Sequence, residues 1–189
     1  MAINLPNSIT LARIALIPVF VLLAYEPDPW YDFWASLVFL VAALTDLLDG
    51  YLARRRGEVT RLGKLLDPVA DKLLILAGLV MLVERSLVPA WIVIIILGRE
   101  MAITGLRAMA AADGVVMPAD RWGKWKTVAQ ATAVIMLLLG WQLPIFGINL
   151  DVSLIGMGVL WVSVALALYS GARYTISYLS GAATRGAGA

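Results

Sequence analysis

The sequence predicts an all-α integral membrane protein of six transmembrane helices, with both termini in the cytoplasm and an active site at the cytoplasmic rim. Three observations predict it. The 189 residues are 61% hydrophobic and only 15% charged, where a soluble domain is about 45–50% apolar and about 25% charged. Six continuously apolar stretches each approach the roughly 20 residues that a spanning helix needs. The cations between those stretches fall almost entirely on alternate connectors.

The six stretches are Ser8–Tyr25, Phe33–Ala53, Leu65–Val83, Val88–Ala111, Thr127–Trp141 and Val152–Ser177. Asn7 or Ser8 can cap the first, and Pro18 is expected to kink it. The runs lack the alternation of a barrel wall, so helices are expected rather than strands. The start, Met-Ala-Ile-Asn-Leu-Pro-Asn-Ser, has neither a basic opening nor a small-residue cleavage site, so the first apolar segment is expected to be retained. Residues 1–179 are read as one domain, and the small, Gly-rich stretch 180–189 as a disordered tail.

The connectors orient the chain. Arg54, Arg55, Arg56, Arg61 and Lys64 follow the second stretch, Arg121, Lys124 and Lys126 precede the fifth, and Arg173 and Arg185 lie at the C-terminal end. On the opposite set of connectors stands Arg85 alone. The positive-inside rule then places both termini and the two basic loops in the cytoplasm. Trp30, Trp34, Trp91 and Trp141 lie near segment ends on the opposite side, as interfacial aromatics do.

Composition also bounds the chemistry. With no Cys there are no disulfides or thiolate ligands, and with no His acid–base work falls to Asp, Glu, Lys or Tyr. A net charge of +2 gives no electrostatic footprint for nucleic acid.

Within this frame four aspartates stand out. The chain reads D-L-L-D-G-Y-L-A-R at 46–54 and G-K-L-L-D-P-V-A-D at 63–71. Ionisable residues at the ends of apolar segments are costly and by default mark a functional site. Asp46 and Asp49 are three apart and Asp67 and Asp71 four apart, so each pair shares a helix face. Pro68 suits a first helical turn. Clustered carboxylates repel one another, and a hard divalent cation relieves that repulsion. Four of them can hold two Mg2+ or Mn2+ ions about 3.5–4 Å apart, an arrangement that clamps transferring phosphoryl groups. Gly50 and Gly63 leave room for close approach of a ligand, Ala53 keeps the same face clear, and Arg54 offers a fork suited to phosphate. The alternative is that the aspartates balance the basic loop and the glycines serve packing, which leaves the joint spacing unexplained.

The spacing D-x-x-D-G-x-x-A-R-x(8)-G-x-x-x-D-x-x-x-D resembles the signature of the CDP-alcohol phosphotransferases at Asp46, Asp49, Gly50, Ala53, Arg54, Gly63, Asp67 and Asp71. The resemblance implies six transmembrane helices, a homodimer and a two-metal site open to the cytoplasm of a bacterial inner membrane. It implies that Asp46, Asp49 and Asp67 are metal ligands. Asp71 would share the metal site and act as base toward the incoming hydroxyl. Gly50, Ala53, Arg54 and Gly63, with Asp49, would line the nucleotide pocket. The segments N-L-P-N-S-I-T-L-A-R-I-A-L-I-P-V-F, G-R-E-M-A-I-T-G-L-R and G-K-W-K-T are similar to the branch of the family that joins CDP-diacylglycerol to glycerol 3-phosphate.

The residues outside the signature agree with an anionic acceptor. Arg99 and Arg107 lie eight apart on the fourth stretch, about 12 Å along a helix axis. Glu100 is not expected to neutralise both, because neighbours on a helix do not face each other. Lys124 and Lys126 stand on the same side where the fifth helix begins. A phosphate monoester would neutralise these four cations; pairing with acids of other helices is the alternative. Thr10, Arg13 and Thr104 are weaker candidates. A related transferase using inositol phosphate stays open, as does a polyprenyl transferase, which leaves the Asp-Gly-x-x-Ala-Arg element without a role. An ion-coupled transporter is a third class, but transporter sites lie near the bilayer midplane rather than at one rim. Ser163, Ala167 and Gly171 recur every four residues on the sixth stretch, a close-packing face.

Overall fold

A computed structural model describes the backbone of residues 5–56, 61–113, 121–145 and 148–186, and side-chain surroundings for residues 8–45, 69–113, 123–142, 149–178 and 180. Six helices carry the fold: α1 (Leu5–Tyr25), α2 (Pro29–Arg56), α3 (Arg61–Glu84), α4 (Ala90–Ala112), α5 (Arg121–Leu139) and α6 (Val152–Gly186). All six expected helices are present. Among the described residues, two helical spans, Ser8–Tyr25 and Val152–Tyr178, are long and apolar enough to cross a membrane, and α2 adds a shorter apolar run over Pro29–Thr45. Pro18 lies inside α1, which is helical on both sides of it.

The largest differences from expectation lie around α5 and α6. A β-hairpin, β1 (Gln142–Ile145) and β2 (Ile148–Asp151), joins α5 to α6 in a connector for which no strand was read. Its register pairs Leu143 with Leu150 and Ile145 with Ile148. Pro144 is tolerated because a two-stranded ribbon consists of edge strands. Helix α5 begins at Arg121 rather than Thr127, which brings Lys124 and Lys126 into its first two turns. It stops at Leu139 because Gly140, at φ 55°, closes it in the left-handed conformation that glycine adopts readily. Helix α6 continues to Gly186, so 180–186, expected to be disordered, extend a helix already nucleated upstream.

Packing places α5 on α6, α1 on α2 and α3, and α5 also on α2 and α3; α4 leans chiefly on α6 and less on α3. The core runs through Phe20, Phe39, Leu79, Leu82, Val134, Leu138 and Leu160, all buried. The Phe20 and Phe39 rings sit 5.2 Å apart, tilted. At Gly78 a Cβ would fall 2.8 Å from the Phe39 ring and 2.9 Å from Val134, so glycine lets α3 approach α2 and α5 at this level. Ser163 and Ala167 are buried as the close-packing face requires; Gly171 meets α4, at Arg99.

The end of the bundle away from the aspartate segments is aromatic. Trp30 packs edge-on to Trp34 and Phe33 stacks on Trp141, with ring centres 5.7 and 6.3 Å apart. Trp30, Trp34, Trp91 and Trp141 are all exposed. Arg85, the lone cation of that side, is held in a two-point ion pair by Asp32, with Nη2 to Oδ2 at 3.0 Å.

Candidate functional site

The site is built at the opposite end. Helix α2 carries Asp46, Asp49, Gly50, Ala53 and Arg54 in its last turns, and α3 carries Gly63, Asp67 and Asp71 in its first. The two helices pack on each other. The side chains of Asp46, Asp49, Gly50, Ala53, Arg54, Gly63 and Asp67 lie outside the described residues. Both segments are helical, so the three- and four-residue spacings keep each aspartate pair on one face of its helix. A donor set made only of carboxylates suits Mg2+ or Mn2+ and not a thiolate- or imidazole-seeking metal. The residues therefore fit the expected metals.

Helix α1 supports the α2 segment from behind. Thr10 and Arg13 are buried, at 1% and 0% exposure. Arg13 Nε lies 3.4 Å from Thr45 Oγ1, whose hydroxyl donates to the Ala42 carbonyl at 2.7 Å. A fully buried arginine thus reaches the residue directly before Asp46. This is a positioning contact on the helix that carries Asp46 and Asp49.

Three further helices are joined through Glu100 and Arg99. On α5, Lys126 is 7% exposed and lies within electrostatic reach of the Asp71 carboxylate. Its ammonium donates to Glu100 Oε1 on α4. The same oxygen accepts from Arg99 Nη1 at 2.9 Å. Arg99 extends to α6, where Nε donates to the Ala167 carbonyl at 2.8 Å and Nη2 to Ser170 Oγ at 2.5 Å. A Cβ at Gly171 would stand 3.2 Å from Arg99 Nε, so the missing side chain is what admits the guanidinium. On the outer flank, Lys72 donates to Thr104 Oγ1 at 2.7 Å, and Thr104 in turn donates to the Glu100 carbonyl at 2.7 Å.

This network sorts the basic residues read from sequence. Arg99 and Lys126 belong together, joined through Glu100. Arg107 does not join them: it is exposed, with its guanidinium carbon 5.8 Å from the centre of the Tyr174 ring. Lys124 is exposed on the outer side of α5. Glu100 meets Arg99 but, among the described residues, no ion pair joins it to Arg107; only the expectation that helix neighbours do not face each other fails, for Arg99. Adjacent residues do point apart on a helix, but the long arginine stem folds back far enough to meet the glutamate. Sequence reasoning also missed Lys72, Ser170 and the central place of Glu100. The one available signal was Glu100 itself, an acid in an apolar run.

Chemically, the arrangement joins an inward-facing ammonium and guanidinium through one counter-anion, with the partly buried Asp71 carboxylate within electrostatic reach of the ammonium. Such a site can receive an anion and hold a proton acceptor next to it.

The comparisons with known proteins agree. A family model described as CDP-alcohol phosphatidyltransferase matches residues 3–169. The chain is similar to a Bacillus subtilis protein named CDP-diacylglycerol–glycerol-3-phosphate 3-phosphatidyltransferase, 44% identical over 187 residues, covering 90% of this chain and 93% of the relative. Proteins with the same name match from Pseudomonas fluorescens, 41% identical over 90% of this chain and 88% of the relative, and from Shigella flexneri, 40% identical over 96% of both.

Proposed function

The chain belongs to the CDP-alcohol phosphatidyltransferase family, and on that premise we propose that it transfers the phosphatidyl group of CDP-diacylglycerol to glycerol 3-phosphate, giving phosphatidylglycerophosphate and CMP. The observation that carries the reading is the complete aspartate signature on α2 and α3, within a chain 44% identical over 187 residues to an enzyme of that name. The protein acts as a six-span homodimer in the bacterial inner membrane, with residues 1–179 as its single catalytic domain, both termini in the cytoplasm and the aspartates at the cytoplasmic rim. The excess of cations on the connectors of that side supports this orientation.

Each residue then has a task. Asp46, Asp49, Asp67 and Asp71 would hold two divalent metal ions, which when bound would neutralise the pyrophosphate and the charge that develops on the departing phosphate. Gly50, Ala53 and Gly63 give the nucleotide room, and Arg54 meets its phosphate. Arg99 and Lys126 receive the phosphate of glycerol 3-phosphate, with Arg107 and Lys124 drawing the anion inward from the exposed rim. Arg13, through Thr45, fixes the α2 segment; Thr10 packs beside it, and Thr104 holds Lys72 at the flank.

Asp71 accepts the proton of the acceptor's 1-hydroxyl as that oxygen bonds to the phosphorus bearing diacylglycerol. The bond from that phosphorus to the bridging oxygen breaks, and CMP carries the electron pair away. The proton on Asp71 passes to water before the next acceptor binds. The electrostatic reach of Asp71 to Lys126 and the lack of any histidine support this role.

The test is CMP release by the purified protein from CDP-diacylglycerol with glycerol 3-phosphate, inositol phosphate or no acceptor. Release with glycerol 3-phosphate is expected. Release only with inositol phosphate removes the acceptor assignment, and no release with either removes the enzyme reading.

A further inference from the structure

Gln130 has no task in the reaction as derived, yet the fold leaves it a donor to fill. It is 2% exposed, and its amide nitrogen Nε2 has no hydrogen-bond partner among the described residues. A buried donor left unpaired costs about 1–3 kcal/mol. The second such atom, Ser36 Oγ, lies one turn from Asp32, toward the aromatic end.

The position of Gln130 points to a ligand. Lys126, Gln130, Ala133, Val134, Leu137 and Leu138 are all buried and form the inner face of α5. Gln130 stands one turn beyond Lys126, about 6 Å along the axis. Gly78 on α3 meets Val134 on α5, which sets the level of the two helices. Counting four residues back on each brings Gln130 level with Leu74, and four more bring Lys126 level with Ala70, the residue before Asp71. The electrostatic influence of Asp71 on Lys126 agrees with this register. The unfilled amide therefore sits one turn deeper than the ammonium and the carboxylate, on the same inner face.

We propose that Gln130 Nε2 donates to the 2-hydroxyl of glycerol 3-phosphate and so makes the enzyme prefer a phosphorylated diol to a simple hydroxyalkyl phosphate. The inference rests on the acceptor reading above. In that reading the phosphate is met by cations and the 1-hydroxyl by Asp71. One acceptor oxygen remains, the neutral 2-hydroxyl, and an uncharged amide donor suits it. Sites that hydrogen-bond a substrate hydroxyl discriminate strongly against analogues lacking it, because a buried polar group is then left unpaired.

The experiment compares glycerol 3-phosphate with 3-hydroxypropyl phosphate, its 2-deoxy analogue, in CMP release by wild type, Gln130→Met and Gln130→Leu. Wild type is expected to use the deoxy analogue with kcat/KM at least about tenfold lower. Both variants should use the two acceptors alike, with kcat/KM for glycerol 3-phosphate about tenfold below wild type. The KM for CDP-diacylglycerol should stay within twofold. The melting midpoint should hold or rise in at least one variant, since an unpaired buried amide has been removed. A deoxy penalty that persists in the variants overturns the proposal. So does unchanged kcat/KM for glycerol 3-phosphate, which would assign the amide to an ordered water only. A lower midpoint in both variants also overturns it, by showing that the amide is already paired in the fold. Wild type that releases no CMP with glycerol 3-phosphate fails the acceptor reading itself, whereas an active wild type without a deoxy penalty fails only the role of Gln130.

Discussion

Arg99 Nη1 donates across 2.9 Å to Oε1 of Glu100, its neighbour in sequence, and that same oxygen receives the ammonium of Lys126 from another helix. One carboxylate thus balances two inward-facing cations drawn from α4 and α5. Removing one member of a buried ionic group strands the others at about 3–5 kcal/mol. Glu100→Gln is expected to lower the melting midpoint in detergent by several degrees. An unchanged midpoint would show that solvent, and not Glu100, balances Arg99 and Lys126.

Arg99 passes beside a glycine to reach α6. The 3.2 Å between its Nε and a Cβ at Gly171 leaves no room for a branched side chain. Gly171→Val should displace the guanidinium from Ala167 and Ser170 and raise KM for glycerol 3-phosphate about tenfold, the worth of one charge-assisted hydrogen bond. The KM for CDP-diacylglycerol should not follow. Equal change in both constants would argue for general distortion instead.

Asp71→Asn removes the proton acceptor of the proposed mechanism while keeping the shape of the side chain. General-base catalysis contributes roughly 10²–10⁴ in rate, so kcat should fall by at least about 100-fold with a smaller loss of nucleotide binding. Turnover and CDP-diacylglycerol binding measured on the same preparation decide it, and wild-type turnover would end the assignment.

Metal removal should act before the acceptor matters. Stripping divalent ions with a chelator is expected to abolish CMP release, and Mg2+ or Mn2+, but not Na+, to restore it. Release that survives exhaustive chelation contradicts a metal role for the four aspartates.

The ion pair of Asp32 with Arg85 serves as a control far from the chemistry. Both side chains are little exposed, at 12% and 13%. Asp32→Asn should reduce thermal stability while leaving both KM values and kcat of the folded enzyme unchanged. A change in KM for either substrate would mean that this end of the bundle couples to the site.

Much of the fold was legible because hydrophobic runs are local. All six helices were readable from continuous apolar stretches, and α6 begins at Val152 as read. The start of α5 was misread because Arg121 to Lys126 look like a basic connector, although nothing in R-W-G-K-W-K forbids helix. That difference carried a consequence: inside the helix, Lys126 turns inward to Glu100, whereas Lys124, two residues earlier, stays outside. The hairpin was missed because two four-residue strands offer almost no periodicity to detect.

The sequence by itself determined where the helices lie and which acids share a helix face, since both follow from spacing along one chain. It also determined that any base must come from a short list without histidine. Only the tertiary structure decided the partners: Arg99 on Glu100 and Ser170, Lys126 on Glu100 near Asp71, Arg107 on Tyr174, and Gln130 left with an unfilled donor. Those pairings depend on how closely helices distant in sequence approach, at Gly78 and Gly171 above all. No periodicity within one helix encodes that distance.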